Sequence, residues 1–282
     1  MKAFLGMGLL GSNFVKAMIK KGETVQVWNR TFTKAKELEK SGARAFENVA
    51  DAVRGADIIH LTLKDDESVN DVLRNAQPGL KPGAIIIDHT TTSVPGAIER
   101  TNAWKNIGFT YQHAPVFMAP ANAFEGSGFM LISGDQSLVN KLDNQLSLMT
   151  GKLINFGPET GRAAALKLVG NCFLVGFTAA LGDSLTLAES LGAPITDLNT
   201  LFASWNPATS ISARIKRITQ EDLSKPSWEL NMARKDTNLF LSAAKNAEKN
   251  LTVIPAVAAL MDHWISKGHG GDDWTVIGKG QL

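Results

Sequence analysis

Three features of the 282-residue sequence predict an α/β protein built on a doubly wound, mainly parallel sheet and completed by an all-helical C-terminal domain. Short apolar runs alternate with helical patterns as far as Phe156, a glycine-rich turn follows the first of those runs, and no convincing strand pattern follows Pro158. The first run, residues 2–5, opens into Gly6-Met7-Gly8-Leu9-Leu10-Gly11 and then an amphipathic stretch from Ser12 to Lys21. Strands are expected at 2–5, 24–28, 57–62 and 84–88, with strand-like pieces at 109–114, 128–133 and 152–156 extending the sheet. Asn155-Phe-Gly-Pro158 is a break. Helices are expected at 160–191, 194–204, 208–219, 230–249 and 255–267, punctuated by Pro194, Pro207 and Pro226. The expected domains are therefore 1–158 and 159–282.

The glycines of the first turn answer separate needs. Gly6 suits the tight turn, Gly8 lets backbone approach a pyrophosphate, and Gly11 lets the helix pack on the strand while its N terminus faces phosphate. With a second strand at βαβ spacing, this predicts a Rossmann-type dinucleotide-binding domain. An acidic residue at the end of that second strand would accept hydrogen bonds from the ribose hydroxyls of NAD. The chain instead reads Asn29-Arg30-Thr31, whose guanidinium and neutral donors suit a 2′-phosphate, so NADP is the expected cofactor. The alternative is a solvated surface Arg30. Ligands of open parallel sheets lie beyond the carboxyl ends of the strands, which singles out Leu63-Lys64-Asp65, the run from Asp88 to Thr92 that includes Thr91, and Ala114 to Pro120.

Lys167 and Asn171 stand four apart and share one face of the expected helix, flanked by Ala163, Ala164, Leu166, Leu168, Val169 and Phe173. So apolar a helix is expected to cross the protein interior. Lys167 then reads either as a proton donor facing a cofactor or as a lysine that reaches the surface along its methylene stem. Cys172, the single cysteine, excludes an intramolecular disulfide and reads as core rather than nucleophile. The stretch from 163 to 181 reads as a buried helix rather than a membrane span, because it carries Lys167 and Asn171 among small residues. No signal peptide is expected, and the cysteine usage fits a cytoplasmic protein.

The composition, 44% apolar and 20% charged with a net charge of +2, is that of a globular chain and gives no support for a nucleic-acid or anionic-membrane partner. Histidines 60, 89, 113, 263 and 269 show no paired ligand spacing, so no metal is expected.

Taken together, the chain resembles the β-hydroxyacid dehydrogenase family, with its 6-phosphogluconate dehydrogenase-type NAD(P)-binding domain. That family includes 3-hydroxyisobutyrate dehydrogenases, tartronate semialdehyde reductases and plant-type glyoxylate/succinic semialdehyde reductases. The likeness rests on Gly6 to Gly11, Val27-Trp-Asn-Arg-Thr31, Asp88 with Thr91, Ala114-Pro-Val116, Gly161 through Lys167 to Asn171, and Lys235-Asp236. It implies a two-domain homodimer or homotetramer in which Lys167 is catalytic, Asn171 holds substrate, Thr91 contacts the cofactor, and Lys235 lies near cofactor and substrate. One motif departs. The family usually has Pro-Val-Ser-Gly-Gly, whose serine and backbone amides hold a carboxylate, whereas this chain has Pro115-Val116-Phe117-Met118-Ala119-Pro120. Either the substrate is more apolar, or the amides of Phe117, Met118 and Ala119 still bind the anion.

The function expected is an NADPH-dependent reduction of a small aldehyde or keto compound, reversible as oxidation of a hydroxy acid, with Lys167 as general acid/base. An imine reductase is a rival favoured by the apolar loop, although such enzymes commonly carry another residue at the position of Lys167. A non-catalytic NADP-binding module is a second rival. The apolar faces of the helical domain also predict a homodimer.

Overall fold

In the computed structural model, which describes residues 1–280, the chain divides into two compact units, Met1–Asn171 and Cys172–Leu282. The first is the expected α/β fold. Strands β1 (Lys2–Leu5), β2 (Val25–Trp28), β3 (Arg44–Phe46), β4 (Ile58–Leu61), β5 (Ile85–Asp88) and β6 (Thr110–His113) form a parallel six-stranded sheet in the order β3-β2-β1-β4-β5-β6. Ala3, Phe4, Leu5, Ile86 and Ile87 are fully buried because helices cover both faces of the sheet. One layer packs Phe4, Phe14, Val27 and Ile87 together, and the other packs Leu5, Ile59, Leu61 and Ile86. The strand order reverses between β1 and β4, so the crevice beyond their carboxyl ends is where this architecture holds ligands.

The helices of this unit are α1 (Leu9–Lys20), α2 (Phe32–Lys36), α3 (Val49–Val53), α4 (Asp66–Ala76), α5 (Val94–Asn106), α6 (Pro120–Glu125) and α7 (Gln136–Ser147). Asp65, Ser93 and Asp135 cap α4, α5 and α7 by accepting backbone N–H groups of the first turn.

The later strands depart from expectation. β7 (Val116–Phe117), β8 (Phe129–Ile132) and β9 (Lys152–Asn155) do not extend the six-stranded sheet but form a second one, with β7 antiparallel and β9 parallel to β8. Pro115 is the physical reason: it has no N–H, so the ladder of β6 stops there, and its carbonyl accepts from Leu131 N–H (2.8 Å) at the start of the new sheet.

A further correction concerns α8 (Arg162–Ser190). It was expected to be buried, yet Val169, Phe173, Leu174 and Val175 are all more than half exposed, and Cys172 is exposed rather than core. At 29 residues and mean hydropathy 1.7, α8 is also long and apolar enough to cross a membrane by length and composition. It is packed toward its two ends, where Ala163, Ala164 and Lys167 and, further along, Asp183 and Ala188 are buried, and the Ala163 N–H donates to Ser133 Oγ (3.0 Å). These contacts tie the start of α8 to the first unit, so the units divide inside the helix rather than at the break near 158.

The second unit is helical, with the remainder of α8, α9 (Ile195–Ser204), α10 (Ile211–Gln220), α11 (Leu230–Asn246) and α12 (Ile254–Trp264). Asp183 is buried and its carboxylate accepts from the N–H groups of Thr252, Val253 and Ile254 (2.7–2.9 Å), seating the start of α12. Burial pushes that carboxyl up, but the backbone N–H groups prevail and hold it below the usual range. A core of Leu223, Leu230, Ala233, Met261 and Val276 takes Trp264 against it, whereas Trp205 and Trp228 are exposed.

Candidate active site

The first turn folds as its glycines demand. Gly6 has φ +100°, and its N–H continues the ladder to Trp28 O (2.9 Å). A Cβ on Gly6 would come under 3.0 Å from Thr62 O, and one on Gly11 would do the same to Gly6 O and Thr62 Oγ1. Gly8 differs, having no atom within 4 Å of a Cβ position, so its backbone borders open space. α1 starts immediately after it with no side-chain cap and no acidic residue in its first turn. The free N–H groups of that turn and the positive end of the helix therefore face a concavity that suits an anion. This geometry fits the pyrophosphate of a dinucleotide.

Met7 N–H donates to Asn29 Oδ1 (2.9 Å), and Asn29 Nδ2 donates to Thr31 O (3.0 Å). Asn29 thus ties the end of β2 to the turn. Beside it a cleft of about 680 Å³ is lined by Gly6, Gly8, Arg30, Thr31, Leu63 and Lys64. Lys34 lines the same cleft and had not been singled out. Its signal was the four-residue spacing from Arg30, which returns it to the same side once α2 begins. Among the charged residues at the end of β2 itself there is no carboxylate.

A second cavity of about 370 Å³ shares Gly8, Thr62, Leu63 and Lys64 with the first, and continues past Leu9, Leu10 and Gly11 to Thr91, Val116, Met118 and Lys167. One continuous crevice therefore joins the glycine turn to Lys167 across the ends of β1, β4 and β5. The loop after β5 is held by its own polar groups. Thr90 N–H donates to Asp88 Oδ1 (2.8 Å), and Thr90 Oγ1 accepts from Leu63 N–H (2.9 Å), leaving Thr91 exposed to the crevice.

Lys167 is buried, and its Nζ donates to Asn171 Oδ1 (3.0 Å) and lies 4.0 Å from the centre of the Phe117 ring. The two residues meet because four positions make about one helical turn. Burial pulls the ammonium below the ordinary lysine range. Among the described residues it pairs with no carboxylate, and it does not snorkel to solvent, so it stands as a desolvated acid on the crevice. Phe117 and Met118 are partly buried, while Ala119 and Pro120 are exposed. Lys235 belongs to the second unit, on α11, where its ammonium pairs with Asp236 (2.9 Å).

Sequence reasoning missed a buried histidine pair beneath this crevice. The Ala114 carbonyl can only accept, so His89 Nδ1 carries a proton and donates to it (2.8 Å). His89 Nε2 must then accept, and it takes the Nδ1–H of His60 (3.0 Å), whose own Nε2 accepts from Gln145 Nε2 (3.3 Å). Both rings are neutral and stack against Phe4. Burial lowers both, His89 to about 4. His89 also lines the crevice. Among the described residues, no group of three His, Cys, Asp or Glu side chains could hold a metal ion.

A doubly wound sheet with a glycine turn at its switch point and a desolvated lysine on the same crevice defines a dinucleotide-dependent oxidoreductase. Residues 2–157 match the NAD binding domain of 6-phosphogluconate dehydrogenase, and the chain belongs to that family. It is an NAD(P)-binding oxidoreductase. It is similar to the uncharacterized oxidoreductase YfjR of Bacillus subtilis, 27% identical over 98% of each chain. It is 28% identical to the chloroplastic glyoxylate/succinic semialdehyde reductase 2 of Arabidopsis thaliana, over 97% of this chain and 77% of that protein. The imine reductase of Myxococcus stipitatus, solved with NADP+, shares the fold at a TM-score of 0.89, with 23% identity over the full length of both chains.

Proposed function

We propose that the protein is an NADPH-dependent reductase of a small carbonyl compound, acting in reverse on the corresponding CH–OH group. The observation that carries this reading is Lys167, a buried ammonium held by Asn171 on the same crevice as the glycine turn. NADP is favoured by Arg30, Thr31 and Lys34 around one end of the cleft. When bound, the cofactor supplies the hydride. Lys167 hydrogen-bonds the carbonyl oxygen, stabilises the charge developing on it and delivers the proton. Asn171 uses Oδ1 to orient the ammonium, which leaves its Nδ2 free to donate to the same oxygen. Gly6 to Gly11 seat the pyrophosphate, and Leu63, Lys64 and Thr91 line the path from there to Lys167.

The test is NADPH oxidation, with NADH alongside, over aldehyde acids, neutral aldehydes and a cyclic imine. Lys167→Ala should lower turnover by about a hundredfold or more with nucleotide affinity kept. Near-normal turnover in that variant would remove the lysine from the mechanism. Turnover of the imine alone would favour the imine reductase reading, which the apolar Phe117 and the fold likeness support.

The assembly we propose is a homodimer, because the exposed Phe173, Leu174 and Phe177 on α8 need cover that the single chain does not supply. Sedimentation showing a monomer at all concentrations would refute it.

A further inference from the structure

The loop that departs from the family pattern does more than lose a serine. We infer that the substrate carries no carboxylate beside its reacting carbonyl, and that Phe117, admitted by Gly170, is the residue that selects against one. This rests on the reductase reading above and deepens it.

The donors of Lys167 are nearly spent. An ammonium has three N–H groups. One is given to Asn171 Oδ1, and a second side of the ammonium lies against the face of the Phe117 ring, 4.0 Å from its centre. What remains serves a single acceptor, the carbonyl oxygen. A carboxylate alongside would need donors of its own, since burying it unpaired is strongly unfavourable.

The loop offers few. Ala119 N–H already donates to Asn122 Oδ1 (2.8 Å), and Pro120 has no N–H. Phe117 lies in β7, in register with Phe129 of β8. Of the three amides that could cradle an anion, that of Ala119 is therefore committed and that of Phe117 sits within a strand pairing, which leaves Met118 N–H. Val116 and Met118 line the cavity that Lys167 lines, and the other lysine there, Lys64, is paired with Asp65 (3.3 Å).

The ring position is built in rather than adventitious. A Cβ at residue 170 would fall well under 3.0 Å from the tip of the Phe117 ring, so any side chain there would push the ring from its place beside Lys167. Gly128 makes the same allowance for the Phe117 carbonyl, which a Cβ there would also crowd. Phe117 and Gly170 form a matched pair that holds an aromatic ring against the proton donor, between the crevice-lining Val116 and Met118 in sequence.

The experiment compares kcat/KM for succinic semialdehyde and its uncharged counterpart butanal, and for glyoxylate and its methyl ester, in the wild type, Phe117→Ser, Phe117→Leu, Gly170→Ala and Phe117→Ala/Gly170→Ala. Isothermal titration of the corresponding alcohols and hydroxy acids with NADP+ present gives a readout independent of turnover. Circular dichroism and NADPH affinity confirm that each variant is folded. The wild type should favour the uncharged partner by about tenfold or more, and Phe117→Ser should shrink that ratio by about tenfold. Phe117→Leu, which keeps the apolar bulk, should retain most of the preference. Gly170→Ala should depress kcat in the wild-type background and have little effect when Phe117 is already alanine. A wild-type preference for the acids, or an unchanged ratio in Phe117→Ser, would overturn the inference. Should no carbonyl compound turn over, the reductase reading fails, while the titrations still decide whether the site accepts a carboxylate.

Discussion

Acidification should destabilise the first unit in a window where carboxylates are silent, and His89 sets the size of the effect. In the folded chain burial holds this ring at about 4, against 6.5 for an ordinary histidine, and its two nitrogens are committed to Ala114 O and His60. The unfolded chain therefore takes up a proton as the pH falls below 6.5, while the folded chain cannot follow until about 4. Stability is fully present above the unfolded value and is lost on the way down. Moving from about pH 7 to about pH 5 costs on the order of 2 kcal/mol through His89 alone. His60 and His113 are also lowered by burial and add to the loss. The assay is urea denaturation followed by circular dichroism at several pH values, on the wild type and on His89→Asn, whose side-chain amide can still donate to Ala114 O. The variant should lose about 2 kcal/mol less between the two pH values, whatever its absolute stability. A wild-type stability that is flat across this window, or a slope unchanged in the variant, would refute the neutral histidine chain.

Other consequences concern the cofactor and the proton donor. Gly11→Ala should destabilise the first unit by about 1–3 kcal/mol and abolish nucleotide binding, because the new methyl group meets Gly6 O and Thr62 Oγ1; thermal melts and NADPH fluorescence titration would measure this. Arg30→Ala with Lys34→Ala should raise the KM for NADPH by about tenfold or more and leave the KM for NADH within about twofold, since only the 2′-phosphate distinguishes the two. Reduction needs Lys167 as the ammonium, so kcat should fall as pH rises through its lowered pKa, below the ordinary lysine range. Asn171→Leu removes the acceptor that favours the charged form, so the fall should begin at still lower pH; a pH–rate profile in each enzyme would check it.

What could be read in advance was whatever local chemistry demands. Gly6, Gly8 and Gly11 are legible because a turn, an open approach and a close packing contact each require the absence of Cβ, and Lys167 with Asn171 because helical periodicity alone brings them together. β3 and β7 were missed because Arg44–Phe46 and Val116–Phe117 are too short to carry a period, although Pro115 already marked where one sheet had to give way to another. The apolar faces of α8 are legible in the sequence, but the expectation that the chain itself buries them is wrong, since Val169, Phe173, Leu174 and Val175 are exposed. Hydrophobicity says that a face is to be buried, not by what.

The residues that stayed silent share a cause: each is defined by a partner far away in the chain. His60 and His89 are unremarkable singly, and their pairing follows only from the register of β4 on β5, which sets His60 beside Ile87 and carries His89 just past the strand end. Gly170 lacks any signal of its own, because nothing in a helix asks for glycine there until Phe117 is known to need the space. Phe117 could be seen as a departure, but whether the loop amides remained free for an anion depended on Asn122 turning back to accept from Ala119 N–H. A substitution at Phe117 is therefore not a local edit. Restoring a small polar residue there without reclaiming the space beside Gly170 would leave Lys167 with a cavity where it now has a ring. For that reason Phe117→Ser alone should relax the preference against carboxylates only at a cost in kcat, which a larger residue at position 170 should recover.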